Sequence, residues 1–370
     1  MRATPRLLHM AEAHVVLLQL SHSLARVSPD PERIPAACVR ELQSSVRRQA
    51  YRGLRLTKEL LALLDIFDRN RIQVIPFKGP VLAVQLYGDP AARHYDDLDI
   101  LVRQWQFNQA LALLHAQGYE PSPKLRRVPL HRWLRLAGQC HLVREAVRVE
   151  LHFALGSFGF PVPLDFDTLW SRLELVRLGG RSVRTISRED LALYLAAHGA
   201  KHAWERLDWI GDFAQLVRAS PGLDWPGIAA RARTQGAERM LLLALRLASD
   251  LSGVTPPRAL APRVMGDRRI CALASEVRSI LEARPFAEQP GTRRMFHLRV
   301  MERLRDRARY AGHVVFTPGP AEWAMLPLPG RLARFYYVVR PMRIAGTYAR
   351  GLLRKGWAAM PRSLGSPPPR

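Results

Sequence analysis

The feature that most limits what this chain can fold into is a change of period near residue 71. Up to that point apolar residues recur at three- and four-residue steps. They run from Leu7 and Leu8 through Val15–Leu20 to Leu54, Leu56, Leu60, Leu61, Leu63, Leu64 and Phe67. That is the pattern of helices burying one face, broken once at Ser28-Pro29-Asp30-Pro31. Beyond residue 71 the spacing shortens. Gln73–Phe77 reads as a short strand closed by Lys78-Gly79-Pro80, and Val81–Tyr87 as a helix stopped by Gly88-Asp89-Pro90. Asp97–Val102 alternates at its start and then turns wholly apolar, as a strand inside a sheet does. Gln104–Gln117 is helical, and Gln139–Arg144 with Val147–Phe153 makes a hairpin around Glu145-Ala146. After residue 187 the alternation is gone. Ser187 caps a helix with Asp190 at its third position, and helical segments follow at about 207–219, 225–234, 237–252 and 268–283.

These elements predict an α+β fold with a small mixed-sheet core, residues 71–187, embedded between helical regions. The expected divisions are an N-terminal helical region (1–70), the core, a helical domain (188–285) and a basic C-terminal region (286–370). The tail SLGSPPPR is expected to be disordered. No apolar run approaches the roughly 20 residues of a membrane span. His9, Glu12 and His14 interrupt the stretch after Arg2 and Arg6 that could otherwise pass for a signal peptide. Cys38, Cys140 and Cys271 are odd in number and far apart, which offers neither a disulfide framework nor a zinc cluster and places the chain in the cytoplasm.

The net charge is +24, and lysine occurs only at positions 58, 78, 124, 201 and 355, so almost every cation is arginine. Genome composition accounts for such a bias; so does an anionic partner. Location separates the two in part. Residues 290–370 carry 16 Lys+Arg against 3 Asp+Glu, which marks them as a possible contact for nucleic acid or an anionic membrane. Within them Arg331–Arg343 interleaves aromatics with cations, as a nucleic-acid groove, an interfacial helix or a helix packed on the core would.

The chemistry lies in carboxylates. Asp97 and Asp99 are two apart on one strand and so share a face, and Glu150 sits in a second strand, Arg-Val-Glu-Leu-His-Phe. Three convergent carboxylates repel one another unless a cation neutralises them, and oxygen ligands favour Mg²⁺ or Mn²⁺ with substrate phosphates completing the shell. His152 shares the face of Glu150. Upstream, Lys78-Gly79 follows a strand and opens a helix, where free N–H groups suit a phosphate. Gly79 permits close approach, Lys78 supplies a point charge, and Arg93 a forked donor.

The stretch IPFKGPVLAVQLYGDPAARHYDDLDILV resembles the uncharacterised nucleotidyltransferases of the polymerase-β-like superfamily. VELHF, AAHGAKHAWERLDWIGDF and FTPGPAEWAMLPLPG resemble further blocks of that family. The resemblance implies transfer of a nucleoside monophosphate from an NTP to an acceptor (a sugar, a metabolite, a protein or RNA), with release of pyrophosphate. It implies a metal-binding pair at Asp97 and Asp99, a third carboxylate at Glu150 that helps activate the acceptor hydroxyl, and a triphosphate-binding turn at Gly79. Position 80 is Pro where the superfamily has Gly or Ser, and the spacing from Gly79 to Asp97 is longer than usual. The Lys-Gly turn with Arg-x₃-Asp-x-Asp is also similar to toxin-type nucleotidyltransferases acting on RNA. A non-catalytic protein that keeps the fold is the alternative.

His198 and His202 are four apart on one helix, a metal-compatible spacing, but HGAKH lacks a zincin's glutamate. A buried pair packed on Trp204 and Trp209 is one reading; Lys201 or His202 facing the nucleotide is the other. Asp208 and Asp212, one turn apart, suit partners such as Arg206. Cys140 and His141 are strand neighbours pointing to opposite faces, which argues against a thiol nucleophile. No G-x-S-x-G, P-loop or G-x-G-x-x-G is present.

Overall fold

A computed structural model describes residues 3–27, 35–122, 130–156, 159, 160, 162, 164–283, 290–326, 328 and 330–346. Two compact units divide the chain at residue 307. The expected break at Ser28–Pro31 and the tail SLGSPPPR lie outside the described residues.

The first unit opens with α1 (Ala3–Ala13), α2 (Leu17–Val27) and the long α3 (Ala36–Arg69). On α3 the periodic residues Leu56, Leu60, Leu63, Leu64 and Phe67 are buried in the main core. Burying each is worth about 1.5–3 kcal/mol, which holds the helix against the sheet. The chain turns at Asn70-Arg71, with Arg71 at φ +56°, into β1 (Val74–Pro76). Then follow α4 (Gly79–Tyr87), stopped by left-handed Gly88, and β2 (Asp97–Val102). α5 (Phe107–Ala116), β3 (Glu120–Pro121), α6 (Leu130–Ala137), β4 (Gln139–Arg144) and β5 (Val147–His152) complete the core.

The five strands form one mixed sheet in the order β1-β2-β5-β4-β3, and β2–β5 is its parallel pair. Because side chains alternate along a strand, the sheet has two chemically distinct faces. Leu98, Ile100 and Val102 of β2, Val149 and Leu151 of β5, and Cys140 and Leu142 of β4 are buried with α3 and α5 residues. Asp97, Asp99, Glu150, His152, Gln139 and His141 occupy the other face. The core face fixes register, since a one-residue slip would drive these carboxylates into it.

After α7 (Phe166–Trp170), β6 (Glu174–Leu178) and β7 (Arg181–Thr185) form a second, two-stranded sheet. Gly179 and Gly180, both at positive φ, make its turn, a hairpin that falls within the stretch 71–187 expected to form the core. The helical part comprises α8 (Arg188–Lys201), α9 (Leu207–Ala219), α10 (Trp225–Gln235), α11 (Glu238–Ser252), α12 (Ala261–Gly266), α13 (Arg268–Ala283) and α14 (Pro290–Val300). Ser187 caps α8 by accepting from the Asp190 N–H. α11 is buried nearly all round, from Met240 to Leu245, which makes it the centre of this bundle.

The second unit, residues 308–370, holds most of α15 (Leu304–Phe316), then α16 (Pro320–Met325) and a helical stretch at 336–346. Glu322 is fully buried there, gripped by Arg340 and Arg343, and it also accepts from the Gly319 N–H. Two arginines of the aromatic–cationic segment are thus spent inside the unit, while Phe335 and Tyr337 stay exposed. No helix among the described residues is long and apolar enough to cross a membrane.

Candidate active site

Parallel pairing of β2 with β5 sets Asp99 beside Glu150 and Leu101 beside His152. The hairpin sets His141 opposite Glu150 and Gln139 opposite His152. A band of polar side chains therefore crosses three strands. His152 Nε2 lies 3.1 Å from Asp99 Oδ1 and 3.5 Å from Glu150 Oε2. His141 Nδ1 meets Glu150 Oε1 at 2.8 Å, and the Gln139 amide donates to Glu150 Oε2 at 3.2 Å.

The turn before α4 closes over this band. The Phe77 N–H donates to the Asp99 carbonyl at 3.3 Å, extending the β1–β2 ladder into the turn. Lys78 then sends its Nζ to Asp99 Oδ1 at 2.9 Å. Gly79 follows at φ +55°, and a Cβ there would stand 3.0 Å from the Asp97 carbonyl oxygen. Glycine is required on both counts. Pro80 falls in the first turn of α4, where its missing N–H has no helical partner to lose.

From the helical side, α8 contributes Tyr194, His198 and Lys201. Phe77 makes edge contacts with both His152 and Tyr194, at 5.2 and 5.3 Å, and Lys78 Nζ lies over the Phe77 and Tyr194 rings. His198 and His202 pack on each other and on Trp209, while Gly199 backs directly onto Trp204.

Burial raises the Asp97 carboxyl, and Asp99 and Glu150 add to it, so that its pKa is pushed up to about 6. Burial acts the same way on Asp99, but Lys78 and His152 outweigh it and hold the group below its usual range. Glu150 is likewise lowered against its burial by hydrogen bonds from His141 and His152. Burial works against the Lys78 ammonium, yet Asp99 with Tyr194, Glu150 and Asp97 leaves its pKa well above the ordinary value. Lys201 is compensated less: burial, reinforced by Lys78 and opposed only in part by Glu150 and Asp99, lowers it to about 8. Among the described residues no ion pair or hydrogen bond engages its Nζ.

Of the residues singled out in the sequence, the structure brings together Lys78, Gly79, Asp97, Asp99 and Glu150, and buried Lys201 of α8 lies within electrostatic reach of Lys78, Glu150 and Asp99. Arg93 is engaged elsewhere: its buried guanidinium donates through Nε to Asp212 Oδ2 at 2.7 Å, and Tyr87 Oη meets the other oxygen at 3.0 Å. Asp208 pairs with Arg206. His202 is part of the aromatic stack and is kept neutral by burial beside Lys201 and Lys78. His141 and Gln139 were not anticipated as partners of Glu150. The two-residue turn Glu145-Ala146 carries that information, since it pairs 144 with 147 and hence 141 with 150. Cys140 faces the core and burial pushes its thiol up to about 11.

The donor set suits a divalent cation. Ligand atoms of Asp99, Glu150 and His152 lie within 4.8 Å of one another. Asp99 Oδ2 and His152 Nδ1 are buried with no hydrogen-bond partner among the described residues, a costly arrangement unless something else satisfies them. Carboxylate oxygens fit Mg²⁺ or Mn²⁺, and the imidazole admits softer ions.

A family model described as uncharacterised nucleotidyltransferase matches residues 2–253. The chain belongs to that family. The activity class of this nucleotidyltransferase is accordingly nucleotidyl transfer, and the matched span takes in every residue of the site just described. The solution structure of the antibiotic-resistance factor ANT(2'')-Ia is similar to 62% of the nucleotidyltransferase chain over 95% of its own, at 14% identity and a TM-score of 0.29. None of the curated proteins matches it.

Proposed function

We propose that this nucleotidyltransferase is metal-dependent and moves a nucleoside monophosphate from an NTP to an acceptor hydroxyl. The observation that carries the reading is the convergence of Asp99, Glu150 and His152 donors beside the unpartnered Asp99 Oδ2. Asp97, Asp99 and Glu150 would hold Mg²⁺ or Mn²⁺, with His152 completing the set. Such an ion neutralises phosphate charge and makes an acceptor oxygen more nucleophilic. Lys78 and Lys201 pair with the NTP phosphates, and Gly79 lets them approach the backbone where α4 begins. Arg93 steadies the loop before Asp97 through Asp212, and His202 supports Lys201 from the aromatic stack. The acceptor oxygen bonds to the α-phosphorus while the bond to the bridging oxygen breaks, its electron pair leaving on pyrophosphate. The acceptor proton departs toward the Glu150 carboxylate, which His141 and Gln139 hold in place. The acceptor is a sugar, a metabolite, a protein side chain or an RNA end. Unpaired Cys38, Cys140 and Cys271 accord with a cytoplasmic setting.

The test is incubation with each α-labelled NTP, Mg²⁺ or Mn²⁺, and a lysate of the source cells. Label should enter one acceptor fraction and be lost in Asp97→Asn/Asp99→Asn. No label with any NTP, together with unchanged metal–NTP affinity in the double variant, overturns the proposal.

One observation favours a second reading. Lys78 Nζ already neutralises Asp99 at 2.9 Å, as it would in a non-catalytic protein that keeps the fold and uses residues 290–370 on nucleic acid or an anionic membrane. In that case a chain ending near residue 350 loses salt-dependent binding to RNA or liposomes, and no label is transferred.

A further inference from the structure

Part of the arginine excess gathers at a cavity that the reading above does not use. It is a half-open hollow of about 690 Å³ lined by residues of α11, α13, α14 and the chain that follows. Arg239, Arg269, Arg299 and Arg307 line it against Glu276 and Glu302, with Leu273 and Leu298 as apolar wall. Four guanidinium groups face two carboxylates, and pairing within the cavity leaves the excess in place. Arg299 takes Glu276 at 2.9 Å. Glu302 accepts the Arg239 backbone N–H. The Arg239 guanidinium is spent on carbonyls, those of Arg299 at 2.7 Å and Met301 at 2.9 Å, and Arg307 Nε also donates to Met301 O at 2.9 Å.

Among the described residues no carboxylate forms an ion pair with Arg269 or Arg307. Burial draws the Arg239 guanidinium below its ordinary pKa; Glu302 opposes this, and Arg307 and Arg269 add to it, a mark of locally positive potential. Like charges gathered around one concave, half-open site repel, less strongly where solvent screens them, and an anion shared between them relieves that repulsion. Planar guanidinium forks match phosphate oxygens two at a time, and the volume falls within the range of small-molecule sites, well above what one phosphate needs.

We propose that this cavity binds a small oligophosphate, either pyrophosphate or the polyphosphate of a nucleotide, at a site separate from the carboxylate cluster. Arg269 supplies its fork and Arg307, held through Nε by the Met301 carbonyl, the terminal nitrogens of its guanidinium, with Arg239 as the fixed positive wall.

The test is calorimetric titration of the full-length protein in EDTA at low salt, with pyrophosphate and separately with a non-hydrolysable NTP. Wild type is compared with Arg269→Gln/Arg307→Gln, Arg269→Lys/Arg307→Lys and Lys201→Gln. At least one of the two ligands should bind at least tenfold more weakly to the double glutamine variant, with partial recovery in the lysine variant and a surviving site in Lys201→Gln. The ligand that responds more strongly identifies the source of the phosphate. Arg269→Gln alone, an exposed position, repeats the measurement if the double variant melts earlier than wild type. Wild-type affinity for both ligands in the glutamine variants, or loss of all binding in Lys201→Gln, overturns the proposal.

Discussion

Replacing Gly79 by alanine tests the architecture of the site at its tightest point. Two costs add. At φ +55° an L-residue gives up about 1–2 kcal/mol relative to glycine. The new Cβ would also meet the Asp97 carbonyl oxygen at 3.0 Å, a backbone atom that cannot swing aside. Moving β2 or the Lys78 turn by a few tenths of an ångström adds about 1 kcal/mol, within the usual range for overpacking. The sum is about 2–3 kcal/mol. Gly88→Ala supplies the internal control, because Gly88 sits at φ +76° with nothing among the described residues within 4 Å of its missing Cβ. It should lose only the conformational part, about 1–2 kcal/mol. Equilibrium urea unfolding followed by tryptophan fluorescence reads both midpoints. Metal–NTP affinity should fall further in Gly79→Ala than in Gly88→Ala, since only the former displaces Lys78 from Asp99. A Gly79→Ala midpoint equal to or above that of Gly88→Ala would falsify the argument that this turn is pressed against β2.

Lys78→Met leaves buried Asp99 with the His152 imidazole but without its ammonium partner and should cost about 3–5 kcal/mol. Adding Asp99→Asn should recover part of that, so a double-mutant cycle with strictly additive costs contradicts the pairing. His141→Ala removes the 2.8 Å support of Glu150 and should weaken Mn²⁺ binding by about tenfold or more, measured by titration calorimetry; unchanged affinity excludes that support. Lys201 has a folded pKa of about 8, below its ordinary 10.5, so the unfolded chain binds more protons between those values. Stability should therefore rise with pH across about 8 to 10.5, and Lys201→Met should flatten the rise in urea midpoints. A slope that persists in the variant assigns it to other groups.

The period change at residue 71, the Asp97–Val102 strand, the Gln139–His152 hairpin and the Ser187 cap were legible in the sequence, because each is local. Alternation fixes which side chains share a face, a side-chain oxygen aimed at a free N–H fixes a helix start, and a two-residue turn fixes the pairing across it. The Gly179-Gly180 hairpin obeys the same rule but is faint in the sequence, because its arginine-bearing strands, ELVRL and RSVRT, lack a strong apolar alternation.

What the sequence by itself determined is the inventory of the site: an acidic pair on one strand, a third carboxylate and a histidine on another, and a Lys-Gly turn opening a helix. Tertiary structure alone decided which of these meet. Parallel pairing of β2 with β5, across an intervening stretch of more than forty residues, puts Asp99 against Glu150 and His152. It also turned Arg93 to Asp212 and brought Lys201 of α8 within electrostatic reach of Lys78, Glu150 and Asp99. The reason is physical: periodicity reports the face a residue occupies, whereas its neighbour on that face depends on burial and charge compensation summed over the whole fold.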